Sequence, residues 1–383
     1  MSTSRRTIAC MTATRADYPR VKSVLAEIAA RPHLELKLIV TGIHLLKEFG
    51  YTVRQIERDG FTIASRVKMY SGDDSPYGMA QAAARCSAGM AKALKRIDPD
   101  ILLITVDRVE TLATAQTAAL MNIPIAHIQG GEVTGTIDES IRHAVTKLSH
   151  IHFPATARAA ERIVKLGEDP AHVHAVGCPY LDIIRTLEYK DKNDLAFRYG
   201  FDPSRPLVLF IQHPVTTEYG RGIDQATITI EALKKISGLE VIALYSNADA
   251  GGRQIIAQMR KTAGFHVFPN IDNEDFLSLM KYAQCMVGNS SSAIREAPSF
   301  GLAAVNIGTR QQGRLRAGNV IDVDHDIDAI AGAVNKAFSD REFKQGLKKI
   351  ANPYGDGHAA KRIVDILAAV DLSTGLIQKK LRY

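Results

Sequence analysis

Short apolar runs recur along the whole chain, each followed by a polar turn and then by a segment with helical spacing. In the first half this pattern predicts strands at Thr7–Met11, Leu36–Val40, Phe61–Met69, Ile101–Val106, Pro124–Ile128, Ile151–Phe153 and His172–Val176. Between them, apolar positions spaced for one helix face fall at Tyr18–Ala30, Tyr77–Arg96, Thr111–Met121, Ile141–Ser149 and Ala157–Leu166. The second half repeats the alternation, with strands at Leu207–Ile211, Val241–Leu244, Phe265–Phe268, Cys285–Val287, Ala303–Ile307 and Val320–Val323. The last helices fill Ile327–Ala337 and His358–Val370.

Several of these strands are apolar at almost every position. That is the mark of a parallel sheet covered by helices on both faces, since neither side of such a strand meets water. A chain of 383 residues exceeds one ordinary core. The stretch 185–206 is charged and carries Asp202-Pro203 and Arg205-Pro206, so it marks the boundary between an N-terminal domain, 1–185, and a C-terminal domain, 200–365. The fold class is therefore α/β, with two doubly wound domains and a cleft between them.

Composition narrows the function. Hydrophobic residues make up 46% and charged residues 23%, the values of a soluble globular protein. Cys10, Cys86, Cys178 and Cys285 are widely spaced, with no CxxC pair, which argues against a disulfide framework or a zinc site and fits a reducing cytoplasm. No signal peptide or membrane span is visible. The net charge of +7 is spread thinly, so it favours anionic small molecules over nucleic acid. Neither a P-loop nor GxGxxG is present, which disfavours ATP hydrolysis and dinucleotide redox chemistry.

In open α/β sheets, ligands gather at the carboxyl ends of the strands. Here those ends carry Arg15, then His44, then Asp107-Arg108, then Gln129-Gly130-Gly131-Glu132 with Asp138, Glu139 and Arg142 close behind. In the second half they carry His213, the turn Gly288-Asn289-Ser290-Ser291, and Arg310. The serine turn precedes a segment with a helical pattern, and a helix start of this kind suits phosphate. It is also open to a plainer reading, as a polar turn with N-cap serines. Glu296, further on, suits ribose hydroxyls better than phosphate. Taken singly, each residue has such a plainer role. His213 is open to a capping role, Asp107 to a helix N-cap, and Glu139 with Arg142 to an ion pair at i,i+3. Together, carboxylates in one half and arginine, histidine and serines in the other suit a substrate with a diphosphate at one end and a sugar at the other.

With these residues in view, the chain resembles the hydrolysing UDP-N-acetylglucosamine 2-epimerases, the bacterial sialic-acid-pathway type above all and the epimerase half of the human bifunctional epimerase/kinase. The likeness rests on RADY (Arg15–Tyr18), DR (Asp107-Arg108), AALMNI (Ala118–Ile123), GGEVTGTIDESIRHAVTKLSH (Gly130–His150), QHPVTTE (Gln212–Glu218), GNSS (Gly288–Ser291), RE (Arg295-Glu296) and GTRQQGR (Gly308–Arg314). The resemblance implies a GT-B-like pair of Rossmann-like domains with the active site in the cleft, no metal, no cofactor, and a C-terminal tail, 366–383, packing back on the first domain. It also implies a nucleotide-sugar substrate, a homodimer or higher homo-oligomer, and a place in nonulosonic acid synthesis. The reaction implied is elimination of UDP followed by hydration, giving N-acetylmannosamine. Asp107, Glu132, Asp138 and Glu139 match acidic positions around the sugar and are the acid/base candidates, and His213, at its strand end, joins the catalytic candidates as a donor to the leaving diphosphate. Arg15, Arg108, Ser290, Ser291, Glu296 and Arg310 match nucleotide-binding positions, and His44 and Arg142, which follow strand ends, are further candidates for binding the nucleotide sugar.

Three departures stand out. Val106 occupies the place of the glycine in the family's GDR, Gln129 that of the first glutamate in HIEGGE, and Pro19 that of a polar residue after RADY. An amide cannot act as a base, so Gln129 leaves Glu132, Asp138 or Glu139 for that role, or signals a different sugar. The close alternative substrate is a UDP- or GDP-linked diacetylbacillosamine, as used for legionaminic acid. Alternatives of other classes are a UDP-sugar-binding protein without turnover and a glycosyltransferase, which the carboxylate cluster disfavours.

Overall fold

The computed structural model describes residues 5–382. By its contacts the chain divides into two units. The first holds the chain up to Glu132, then Ile137–Arg185 and everything from Tyr354 onward; the second holds Val133–Thr136 and Thr186–Pro353. The returning segment thus starts at Tyr354, twelve residues before the expected 366.

The first unit is a six-stranded parallel sheet. Its strands are β1 (Arg6–Thr12), β2 (Leu34–Val40), β3 (Ile63–Arg66), β4 (Ile101–Thr105), β5 (Ile125–Ile128) and β6 (Ile151–Phe153), in the spatial order β3-β2-β1-β4-β5-β6. Its helices are α1 (Tyr18–Ala29), α2 (Val53–Arg58), α3 (Pro76–Ile97), α4 (Val109–Leu120), α5 (Asp138–Leu148), α6 (Ala157–Lys165) and α7 (Pro179–Thr186). Strand alternation sorts the core into two layers. Ile8, Cys10, Leu103 and Ile128 face one side with Val21 and Leu25 of α1, while Ala9, Met11, Leu102 and Ile104 face the other with Met90 of α3 and Ala115 of α4.

The second unit repeats the plan. After α8 (Lys192–Tyr199) come β7 (Leu207–Ile211), α9 (Gly222–Lys234), β8 (Glu240–Leu244), α10 (Gly252–Lys261), β9 (Phe265–Phe268), α11 (Asn273–Tyr282), β10 (Cys285–Gly288), α12 (Ser292–Arg295), β11 (Ala303–Ile307), β12 (Val320–Val323), α13 (Ile327–Ser339) and α14 (Arg341–Leu347). The order β12-β11-β10-β7-β8-β9 is, counted from β7, the same as in the first unit. In each unit the winding direction reverses between two neighbouring strands, β1 and β4 in one, β7 and β10 in the other. That is where such sheets open a crevice at their carboxyl ends.

The last helices, α15 (Ala359–Ala369) and α16 (Thr374–Ile377), belong to the first unit. Ile363, Val364 and Leu367 of α15 enter the core layer of β1 and α1. Beyond α16, Lys379 donates to the carbonyls of Lys147 (2.8 Å) and Ser149 (2.6 Å), capping the carboxyl end of α5, and pairs with Glu168 at 2.5 Å.

Some expectations change. His172–Val176 forms no strand, only an isolated bridge from Val173 to His152, because a 3₁₀ turn at Pro170–His172 and a three-residue β6 leave little to pair with. The charged stretch after 185 contains α8, capped by Asp191 and stopped by the left-handed Gly200. Helix α5 starts three residues earlier than its apolar spacing predicts, which brings Asp138 and Glu139 into its first turn, where carboxylates are favoured.

The buried histidines of this unit make it acid-sensitive. Burial lowers both His127 and His150 to about 4. A histidine depressed in the folded state binds fewer protons than in the unfolded chain, so stability is lost as pH falls from about 6.5 towards 4. Denaturant unfolding at pH 5 should show the first unit weaker than at pH 7, by on the order of 1–2 kcal/mol per histidine. His150→Gln should remove part of that difference.

Candidate active site

At the exit of β4 the backbone makes an unusual turn. Val106 has φ +60°, in the left-handed region where a β-branched side chain is strained by roughly 1–3 kcal/mol. Gln129, at the exit of neighbouring β5, also has positive φ, +68°. These two turns aim the next residues of both strands away from the sheet, Asp107 from one and Gly130–Glu132 from the other.

The groups they present meet around Arg142 of α5. Its side chain is wholly buried. The guanidinium pairs with the carboxylate of Asp107, with Glu139 at 2.7 Å, and donates to the carbonyl of Glu132 at 3.0 Å. Glu139 in turn bonds His143 at 2.9 Å. Glu132 is buried, whereas Asp107, Asp138 and Glu139 are half-buried. Arg142 is therefore an internal clamp for the acidic residues, and its i,i+3 pair with Glu139 is one arm of it. Arg142, expected to bind ligand, has no exposed surface in this structure.

Arg108 caps the start of α4 and lies 3.4 Å from Glu110, which also accepts from Tyr70 at 2.8 Å. Arg15 sits half-buried in the turn after β1, its guanidinium lowered by burial to about 10 and still charged at neutral pH. His44 is placed differently from the expectation. It is buried and both ring nitrogens are occupied, by Thr52 at 2.6 Å and Thr12 at 3.1 Å. Its Thr12 partner also donates to Asp17, the carboxylate that ties the turn by accepting from the backbone of Ala13 and Thr14. His44 therefore braces the Arg15 turn from behind.

In the second unit Asn289 organises the crevice. Gly288 before it has φ +122°, and a Cβ there would lie 2.1 Å from the Ile211 carbonyl, so only glycine lets β10 and β7 run this close. The Asn289 side chain then accepts from the His213 backbone N–H (2.7 Å) and donates to the His213 carbonyl (2.9 Å). Its own carbonyl accepts from Arg310 (3.1 Å) and Gln311 (2.8 Å). One residue thus brings His213, the serine turn and Arg310 together. The Asn247 N–H donates to His213 Nδ1 at 3.2 Å. An N–H can only donate, so in this geometry the neutral ring carries its proton on Nε2.

The serine turn is only partly as expected. Ser290 is buried and its hydroxyl accepts from the Ser292 N–H at 3.3 Å; Ser291 is the N-cap residue of α12 without a side-chain cap. Helix α12 is one turn long, giving way to a 3₁₀ turn at Ala297–Phe300. Its dipole is correspondingly small, and local N–H and hydroxyl donors are what the turn offers. Glu296 lies just past α12, wholly buried, and not one turn inside a longer helix.

Asn289 and the Ser246-Asn247 loop after β8 escaped the sequence reading as organising residues. The strand-end rule that found His213 also covers the β8 exit, but only the fold shows which backbone groups Asn289 joins. Among the described residues, no cluster of three or more metal-ligating side chains occurs, and no helix is long and apolar enough to cross a membrane. Removing the Arg142 charge would leave Asp107 and Glu139 without their common partner. Arg142→Met should therefore destabilise the first unit by about 3–5 kcal/mol, read as a drop in its denaturant midpoint.

With this geometry in hand, comparisons with known proteins are specific. The family model described as UDP-N-acetylglucosamine 2-epimerase matches residues 26–368. A Legionella pneumophila protein named UDP-N,N'-diacetylbacillosamine 2-epimerase (hydrolyzing) is 34% identical over 98% of both chains. A Neisseria meningitidis UDP-N-acetylglucosamine 2-epimerase is 37% identical over 88% of this chain and 89% of its own. A Campylobacter jejuni GDP/UDP-N,N'-diacetylbacillosamine 2-epimerase (hydrolyzing) is 34% identical over 89% and 90%. Among solved structures, a Neisseria meningitidis UDP-GlcNAc 2-epimerase bound to UDP-GlcNAc superposes with a TM-score of 0.80 at 19% identity, covering 94% of this chain and 99% of its own. That likeness bears on the fold alone, and it identifies the two units as the Rossmann-like pair of the GT-B-like class.

Proposed function

Because the chain belongs to the UDP-N-acetylglucosamine 2-epimerase family, we propose that it is a hydrolysing nucleotide-sugar 2-epimerase, converting UDP-N-acetylglucosamine to N-acetylmannosamine and UDP. The observation that supports this reading is the gathering of the Asp107 and Glu139 carboxylates, with the backbone carbonyl of Glu132, about the buried Arg142 at the β4 and β5 exits. Cleaving the bond between C1 and the diphosphate oxygen sends its electron pair out with UDP. The C2 proton, which no neighbouring carbonyl acidifies, leaves to a carboxylate as the C1 bond breaks. The resulting 2-acetamidoglucal then takes hydroxide from water at C1 and a proton at C2 on the opposite face, which inverts C2.

Asp107, Glu132, Asp138 and Glu139 are the acid/base candidates. Gln129, which no longer has a carboxylate, is buried and donates to Cys178 Sγ at 2.9 Å. Charge grows on the leaving diphosphate, and donors fixed in advance stabilise it best. His213 Nε2, the Ser290 turn and Arg310, held together by Asn289, suit that task, with Arg15 and Arg108 as further cationic candidates and Glu296 as the ribose candidate.

A second reading keeps the chemistry and changes the sugar. The full-length match to the Legionella relative favours a UDP- or GDP-linked diacetylbacillosamine, giving 2,4-diacetamido-2,4,6-trideoxymannose. Proton NMR in D2O with each nucleotide sugar alone separates the two. Free N-acetylmannosamine deuterated at C2 is expected under the first reading and the diacetamido sugar under the second. Neither sugar, with UDP still bound, would sink both. Asp107→Asn should lose turnover at least about 100-fold while calorimetry still shows UDP binding. Wild-type turnover would remove Asp107 from the mechanism. Arg310→Ala should weaken UDP binding by about 10-fold or more, since it removes a charge-assisted contact.

A further inference from the structure

His127 lies in β5, between β4 and the edge strand β6, and has no exposed surface. It is a polar residue in β5 where an aliphatic one would bury more cheaply. One ring nitrogen has a single partner: Nε2 is 2.9 Å from the carbonyl of Val106. A carbonyl only accepts, so the proton is on Nε2. The other nitrogen, Nδ1, has no hydrogen-bond partner. A Cβ on Gly130 would lie 2.9 Å from that atom, so the glycine closes over the ring and fixes its orientation.

The accepting carbonyl belongs to the strained residue. Val106, at φ +60°, is the turn that carries Asp107 from the end of β4 to Arg142. Its backbone N–H continues the sheet, donating to the Ile128 carbonyl at 3.2 Å, so the bond to His127 is a second restraint on the same residue, made on the peptide unit that leads to Asp107. Glycine would take this conformation without cost, whereas valine is driven towards the ordinary β or right-handed regions. Relaxation in either direction would swing Asp107 away from the guanidinium.

We propose that His127 is a positioning residue for Asp107: its Nε2–H, held on the Val106 carbonyl, keeps the left-handed valine in place and so keeps the carboxylate at Arg142. The kinetic consequence rests on the epimerase reading; the ring's protonation and its bond to Val106 do not. Burial holds the imidazole far below its usual range, which keeps it neutral at the pH of the cell.

The test is a double-mutant cycle with an independent spectroscopic arm. His127→Leu should lower kcat by about 10- to 100-fold with UDP affinity nearly unchanged, because a displaced reacting group costs rate more than binding. His127→Gln, which retains an N–H donor, should recover part of the loss. In the Val106→Gly background, where the turn needs no restraint, His127→Leu should cost less than about 3-fold. A merely structural histidine predicts the same loss in both backgrounds, and that result, or wild-type kcat in His127→Leu, overturns the proposal. Should His127→Leu not fold, the cycle is run with His127→Gln, and an equal loss with valine and glycine at 106 again overturns it. Nitrogen-15 NMR of the His127 ring in the wild-type protein should show the neutral Nε2–H tautomer at pH 7. An Nδ1–H tautomer or an imidazolium overturns the proposal even if no nucleotide sugar is turned over, so its failure is distinct from failure of the epimerase reading.

Discussion

The first unit depends on one buried charge. Arg142 has no exposed surface, and it reaches Asp107, Glu139 and the Glu132 carbonyl from three different segments: the β4 exit, its own helix and the β5 exit. A guanidinium out of water is costly unless its N–H groups are matched. Matching them requires the β4 turn, the glycine-rich β5 exit and the first turn of α5 to sit where they do. The same requirement that stabilises the ion therefore brings the Asp107 and Glu139 carboxylates together.

The second unit uses a neutral group for the same end. Asn289 has an acceptor and a donor on one side chain, and it spends both on the backbone of His213 while its carbonyl collects Arg310 and Gln311. Gly288 makes this possible by letting two parallel strands end within reach of each other. This cluster is built from neutral side-chain and backbone groups around the half-buried Arg310. The two units are alike in strand order, yet one gathers its strand exits around a buried ion and the other around a neutral amide.

Left-handed backbone recurs where these side chains leave the sheets. Val106, Gln129 and Gly288 all have positive φ, and each is the residue immediately before, or at the start of, a group singled out above. At Gly288 the conformation is free of strain. At Val106 it is not, and a neighbouring histidine holds it. The departure from the family's glycine at this position is thus paired with a specific contact in the adjacent strand, as expected when strain persists only because surrounding structure over-determines it.

Much of this was legible in the chain alone. Continuous apolar runs marked the inner strands such as β4, β7 and β11, where burial on both faces leaves no polar position, and the parallel α/β class followed from them, whereas the alternating stretch Phe61–Met69 formed only the short, part-exposed β3 at Ile63–Arg66. The tertiary structure decided what pattern cannot encode. Helix α8 hides in a charged stretch because its stability comes from a distant partner: Asp275, wholly buried, takes Lys190, Arg198 and Tyr199. His172–Val176 has a strand's composition but too short a neighbour to pair with. His44 and Arg142, read from the sequence as ligand groups, are buried in the fold, His44 between Thr52 and Thr12 and Arg142 against Asp107 and Glu139. Residue type and spacing set which groups arrive at the carboxyl ends of the sheets. Which of them keeps a free valence there depends on hydrogen bonds between segments that only the folded chain brings together.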